Sequence, residues 1–340
     1  MTFTTALHIG IGLDVGTSNL FRDETDPDGL LQKLDTAADL IILEDRFARL
    51  DGDGLDAVLF ANWLGARTRN AGIIAGAPIN ALEPFHVSTA IATLDYVTEG
   101  RAGLLAQALD GEHATAARRA TGPLNGYPGD DRQTLDRDFD EAIDVIRRLW
   151  DSWEDDAVIR DRESQRFVDG AKLRYVDFKG SSFSVLGPSI TPRPPQGQPI
   201  IAATIGAADE AAGRANVDLI FLQTGIDDLP ALLKTSSAAR PDLRYFADIE
   251  VGFDSAEKNT AGQWQEEAER IAAGAREWAA AGLAGLRLQP LQPERDLRPL
   301  VDHLLPALRS AGIGHDAHKA KTLRQRLALP VAANRYVHAA

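Results

Sequence analysis

The feature that most constrains this chain is a pair of patterns that recurs along it. A short apolar run bounded by charge or glycine is followed by a longer stretch with apolar residues every three or four positions. Asp39–Leu43, Ala71–Gly76, Gly103–Leu109, Ile200–Ala203, Val217–Gln223 and Leu283–Gln289 supply runs of the first kind. Continuous apolar runs of this length mark parallel strands covered on both faces. Between them, Val87, Ala90, Ile91, Leu94 and Val97 make one helical stripe, Leu135, Phe139, Ile143, Ile146, Leu149, Trp150 and Trp153 a second, and Trp264, Ala268, Ile271, Ala275 and Trp278 a third. With Ala6–Leu13 as the first strand and Leu243–Val251 as the seventh, eight strands alternate with helices. That order predicts an α/β fold, a single (β/α)8 TIM barrel, and 340 residues suit such a barrel carrying an insertion.

The insertion falls between strands four and five. Asp155 to Gln198 is charged, then aromatic, then proline-rich, and it ends in Phe183–Ala203, FSVLGPSITPRPPQGQPIIAA. A hairpin and a lid over the barrel mouth are expected there, dividing the repeats four and four. The predicted organisation is one barrel domain over 1–318 with its insertion at 155–198, then a C-terminal tail, 319–340, with a basic helix and the peptide Asn334–Tyr336. In the second helix, Leu55 to Thr68, the spacing of Leu55, Val58, Leu59 and Trp63 places Trp63 in the core. Trp150 and Trp153 are expected to pack against the barrel or a partner subunit.

A net charge of −14 argues against nucleic acid or an anionic membrane surface as partner. The absence of cysteine removes disulfides and thiolate chemistry and fits a reducing compartment. Neither a secretory leader nor a run of eighteen uninterrupted apolar residues is found, so a soluble cytoplasmic protein is expected.

No sequence motif specifies a metal. The DGDG at Asp51 to Gly54 begins like a calcium loop but lacks the later oxygens and closing Glu, which makes it a helix-leading turn. No HExxH is present. Glu44-Asp45-Arg46 directly follows the second strand, where barrel enzymes keep their sites. His86 opens the third helix, either as a first-turn packing residue or as a catalytic acid/base. His8 lies in the first strand, His113 follows the fourth, and His315 and His318 lie in a charged C-terminal segment.

LEDRF at Leu43–Phe47, EPFHVSTAIATLDYVTEGRAG at Glu83–Gly103, LWDSWEDDAV at Leu149–Val158, FSVLGPSITPRPPQGQPII at Phe183–Ile201 and ANRY near the end occur in this order. In these blocks the chain resembles the bacterial luciferase-like flavin-dependent oxidoreductases, in the branch of nitrilotriacetate and dibenzothiophene sulfone monooxygenases. The resemblance implies a TIM barrel that binds reduced FMN at the C-terminal ends of its strands and uses O2 on a small organic substrate. It also implies a separate flavin reductase and a homodimer. Asp45 and Arg46, Gly76 and Ala77, and Gln107 are then expected to border the flavin ring. Thr204, Gly206 and Ala207, in the turn Thr204–Ala208 after strand five, are expected to meet the phosphate at a helix N-terminus.

The turn itself, ATIGAADEAAG, departs from the Gly- and Ser-rich form of relatives, and Gln107 stands where they carry Asn or His. Arg118 and Arg119 either supply positive charge to the phosphate or are solvated. Two other readings therefore stand beside FMN monooxygenation: a deazaflavin-dependent oxidoreductase, and a degenerate, non-catalytic flavin-binding barrel.

Overall fold

A computed structural model describes residues 7–15, 24–45, 54–109, 111–121, 131–206, 216–252, 261–314 and 321–337. Eight parallel strands close a barrel. They are β1 (His8–Asp14), β2 (Leu40–Glu44), β3 (Gly72–Pro78), β4 (Ala102–Gln107), β9 (Ile200–Gly206), β10 (Leu219–Gln223), β11 (Arg244–Val251) and β12 (Leu283–Pro290). Their neighbours follow the chain around the ring, and β1 pairs with both β2 and β12. The (β/α)8 barrel is therefore as expected, with four of its strands before the insertion and four after. Short strands β5 (Val158–Asp161), β6 (Arg166–Val168), β7 (Phe178–Lys179) and β8 (Ser184–Val185) form two antiparallel hairpins outside the barrel.

Strand parity divides the core in two. Leu40 and Ile42 of β2 belong to the cluster inside the barrel, with Ile74, Leu105, Ile200, Ala202, Phe221 and Phe246. Ile41 and Leu43 belong to the larger cluster between strands and helices. Both faces are thus apolar, as the continuous runs require.

The helices that cover the barrel include α1 (Pro27–Ala37), α2 (Ala57–Gly65), α3 (Pro84–Val97), α4 (Gly111–Thr121) and α5 (Arg132–Asp151). Helix α3 begins with Pro84 after a Glu83 cap, where a missing N–H costs nothing. Gly100, at φ 91, ends its terminal turn. Helix α5 buries its predicted stripe from Leu135 to Trp150; Trp153 follows the helix end and is half-buried, and both tryptophans bond within the chain. The Trp150 indole N–H donates to the Ser88 carbonyl at 3.0 Å, and that of Trp153 to the Ser189 carbonyl at 2.8 Å.

Two expectations are corrected. On α2 the buried residues are Ala57, Val58, Ala61, Leu64 and Gly65, while Leu55, Leu59 and Trp63 are exposed, with Arg67 stacked over the Trp63 ring. Small residues let this helix approach the barrel and α3 closely: a Cβ on Gly65 would lie 2.8 Å from the Thr98 methyl. The proline arm does not cover the mouth. Gln196 donates to Asp95 and to the carbonyl of Ala102, the first residue of β4, and Arg193 pairs with Asp151 at the end of α5. The arm consequently lies at the N-terminal face, where it must be to lead into β9.

The tail shares that face. Leu323, Leu327 and Leu329 complete the inner apolar cluster from below, and Arg324 joins Arg147 in pairing with Asp218. Burial would lift the Asp218 carboxyl, but the two guanidinium groups outweigh it and hold it below its ordinary value.

Candidate active site

The parity that places Leu40 and Ile42 inside the barrel places Glu44 there too, at the C-terminal end. The same count along each strand brings Gly76, Gln107, Thr204, Gln223, Asp248, Arg287 and Gln289 toward the interior of the upper barrel. Glu44, Gln107, Thr204, Gly206, Gln223 and Arg287 line one cavity of about 440 Å³. Leu109, Leu135 and Phe139 supply apolar wall. The loop carrying Leu109 is held by Asn80, whose buried amide accepts from the Leu109 N–H at 2.8 Å and donates to its carbonyl at 3.1 Å. A second cavity, about 350 Å³, lies over β10–β12 and shares Gln223 with the first.

Gln107 is oriented by its neighbours. The Asp45 backbone N–H donates to its Oε1 at 2.8 Å, so this atom must be the carbonyl oxygen, which leaves the Nε2 hydrogens for the cavity. The bond runs across Gly76: a Cβ there would stand 2.3 Å from Oε1 and 2.6 Å from the Leu43 carbonyl. Asp45 lines the cavity, but its carboxylate also accepts the Ala57 N–H at 2.9 Å and so ties β2 to the start of α2.

The polar floor is an ion triad. Arg287 is 1% exposed; its Nε donates to Asp248 Oδ1 at 2.6 Å, Nη2 bonds Asp248 Oδ2, and Nη1 donates to Glu44 Oε1 at 2.7 Å. Its guanidinium sits 4.1 Å above the Phe221 ring. Gln289 Nε2 reaches Asp248 at 3.2 Å and Glu44 at 3.5 Å. Burial pushes the Asp248 carboxyl up; Arg287 opposes that, and the negative charges of Glu44 and Glu250 add to it.

The structure brings together Asp45, Gln107, Thr204 and Gly206 of the expected cofactor residues. Gly76 lies beneath the Gln107 bond. Ala77 has the opposite parity and is fully buried in the outer core. Ala207 and Arg46 lie outside the described residues, as do His315 and His318. His86 is exposed on the first turn of α3, its backbone N–H held by the Glu83 carboxylate, and it does not line the cavity. His113 does line it, whereas Arg118 and Arg119 do not. His8 stacks on Phe246 inside β1. Among the described residues no group of three or more His, Cys, Asp or Glu is arranged to hold a metal ion, and no helix is long and apolar enough to cross a membrane. Glu44 was among the three charges singled out after the second strand, although not as a partner of Arg287; Gln223, Asp248, Arg287 and Gln289 were missed. The signal for them was a polar residue at an inward position of an otherwise apolar strand.

Comparison with known proteins agrees with this geometry. Residues 39–231 match the family model of luciferase-like monooxygenases. The chain is 34% identical over 156 residues to N-acetyl-S-(2-succino)cysteine monooxygenase of Bacillus subtilis, covering 45% of this chain and 34% of that protein. It is 34% identical over 184 residues to dibenzothiophene-sulfone monooxygenase of Rhodococcus erythropolis, covering 48% of this chain and 38% of that one. The matches thus span little more than a third of either relative. A crystal structure of riboflavin lyase with modified FMN and riboflavin superposes with a TM-score of 0.77 at 20% identity, over 95% of both chains, and so shares the fold. With more than half of its length matched by the family model and a barrel whose polar groups gather at the strands' C-terminal ends, the chain belongs to the luciferase-like monooxygenase family.

Proposed function

We propose that this chain is a flavin-dependent monooxygenase that uses reduced FMN and O2 on a small organic substrate. The observation that carries this reading is the cavity at the barrel mouth in which Gln107, fixed by the Asp45 N–H, presents an amide donor beside an apolar wall. A flavin ring asks for such a slot, with hydrogen-bonding groups at one edge. Gln107 Nε2 suits a ring carbonyl, Leu109, Leu135 and Phe139 suit the ring's faces, and Thr204 and Gly206 border the turn expected to hold the phosphate. When bound, reduced FMN supplies the electrons that activate O2. The chain's own part is to orient the ring through Gln107, exclude water with the α5 wall, and keep a fixed charge pattern in the floor.

A separate reductase would deliver the reduced flavin. Absence of cysteine supports a cytoplasmic, reducing setting. A homodimer is supported by the exposed Leu55, Leu59 and Trp63, together with Tyr96 and Val97 at the end of α3. Trp63→Glu should then halve the mass measured by light scattering, and an unchanged mass would place the interface elsewhere.

Titration with reduced FMN, oxidised FMN and deazaflavin tests the cofactor. Saturable binding of reduced FMN is expected, with Thr204→Glu weakening it about tenfold or more by setting a carboxylate against the phosphate. Preference for deazaflavin would move the chain to the alternative oxidoreductase reading. Binding without substrate oxidation would leave a non-catalytic barrel, and no binding of any flavin would overturn the proposal.

A further inference from the structure

Within the ion triad the two carboxylates are not equivalent. Asp248 takes two nitrogens of Arg287 in a fork and its side chain is 5% exposed, so this pair is complete by itself. Glu44 is the additional member. Its side chain is 25% exposed and lines the main cavity, and its two hydrogen bonds, from Arg287 and Gln289, both fall on Oε1. Among the described residues none donates a hydrogen bond to Oε2. Within the triad one guanidinium faces two carboxylates, an excess of one negative charge, and the exposures place it at the cavity side.

The basic residues among the described lining are Arg287, Arg132 and His113. Arg287 is committed and buried, and Arg132 pairs with Asp136 at 2.9 Å. In a half-enclosed mouth the attraction of such a carboxylate for a cation exceeds what open water permits.

We propose that Glu44 forms a cation-recognising subsite, and that the substrate carries an amine, as its ammonium ion, or a comparable nitrogen cation that docks on Oε2. This deepens the monooxygenase reading and rests on it for the word substrate; the subsite itself is independent of flavin. Arg287 and Gln289 act as positioning residues, fixing Oε1 so that Oε2 faces the ligand. Carboxylate-bearing compounds are disfavoured at the same place, since like charges meet there.

The test uses the full chain without flavin and three probes of one shape, benzylammonium, benzyl alcohol and benzoate, with affinities read by calorimetry. Benzylammonium is expected to bind about tenfold tighter than the alcohol, and benzoate most weakly of all. Glu44→Gln keeps an oxygen for Arg287 and the side-chain volume while removing the charge, so amine and alcohol should converge to within about twofold. Glu44→Asp, which retains charge with shorter reach, should fall between, and it decides the matter if the Gln variant does not fold. Equal binding of amine and alcohol to the wild-type chain, or an amine preference that survives Glu44→Gln, would overturn the subsite. A parallel FMN titration keeps the two ideas apart: failure to bind FMN removes the monooxygenase reading and leaves the amine preference to stand or fall alone.

Discussion

At Gly76 the missing side chain is a requirement of its neighbours. Its Cβ position lies 2.6 Å from the Leu43 carbonyl and 2.8 Å from the Asp45 nitrogen, both backbone atoms that cannot swing aside. Gly76→Ala should cost about 1–3 kcal/mol through forced backbone shifts, and urea unfolding would measure it. Unchanged stability would mean that the Gln107–Asp45 bond yields easily. Arg287 is held more firmly, because removing it leaves Asp248 and Glu44 facing each other across a buried gap. Arg287→Leu should lose about 3–5 kcal/mol, and a loss under about 1 kcal/mol would show the triad to be electrostatically slack. Asp45, Gly76, Gln107 and Thr204 were legible in the sequence because they sit at strand ends. The triad was not, since Arg287 lies 39 residues from Asp248 and 243 from Glu44, and barrel closure alone makes them neighbours.

Among the elements, α5 was readable and α2 was not, for one physical reason. A stripe of large residues from Leu135 to Trp150 can be buried on only one side, and α5 buries it. In α2, large and small residues occupy opposite faces, and the small face wins because Ala57, Ala61 and Gly65 permit close approach. Periodicity reports that a helix has two faces; it does not report which one the barrel takes. The proline arm was recognised as an excursion, but its destination depended on Asp95, a buried carboxylate on α3. Asp95 accepts N–H donors from the Gln196 backbone, the Gln196 side chain and Ala102. Burial nevertheless pushes its carboxyl up to about 6, these bonds offsetting only part of the desolvation. An acid raised in the folded state keeps its proton where the unfolded chain, with a value near 3.8, has lost it. Its contribution to stability is therefore full below about pH 4 and lost as pH rises through 6, roughly 3 kcal/mol over the window. The difference in unfolding free energy between wild type and Asp95→Asn should change by that order between pH 4 and 6; a difference independent of pH would show that the carboxyl ionises normally.

Across the whole molecule, the two ends of the barrel do different work. The count of four strands and four strands was legible because each strand is a continuous apolar run, and a closed parallel barrel is the arrangement that buries eight such runs on both faces. The sequence could not reveal how the ends are sealed. The N-terminal end is closed by segments distant in sequence: the proline arm through Gln196 and Arg193, and the tail through Leu323, Leu327 and Leu329. Gln196 joins the two, its side-chain oxygen accepting the Arg324 N–H at 2.9 Å. The C-terminal end instead keeps its charges, amides and cavities. If this division holds, a defect at the sealed end lowers stability without altering the mouth. Leu323 is almost wholly buried against Leu40 and Gly72 and has no part in either mouth cavity. Leu323→Ala should cost about 2–5 kcal/mol by urea unfolding. At temperatures where the variant remains folded, its affinity for reduced FMN and its preference for benzylammonium should match those of the wild-type chain. Loss of either in a folded variant would mean that the tail supports the mouth through the barrel's interior, so that the two ends are mechanically coupled.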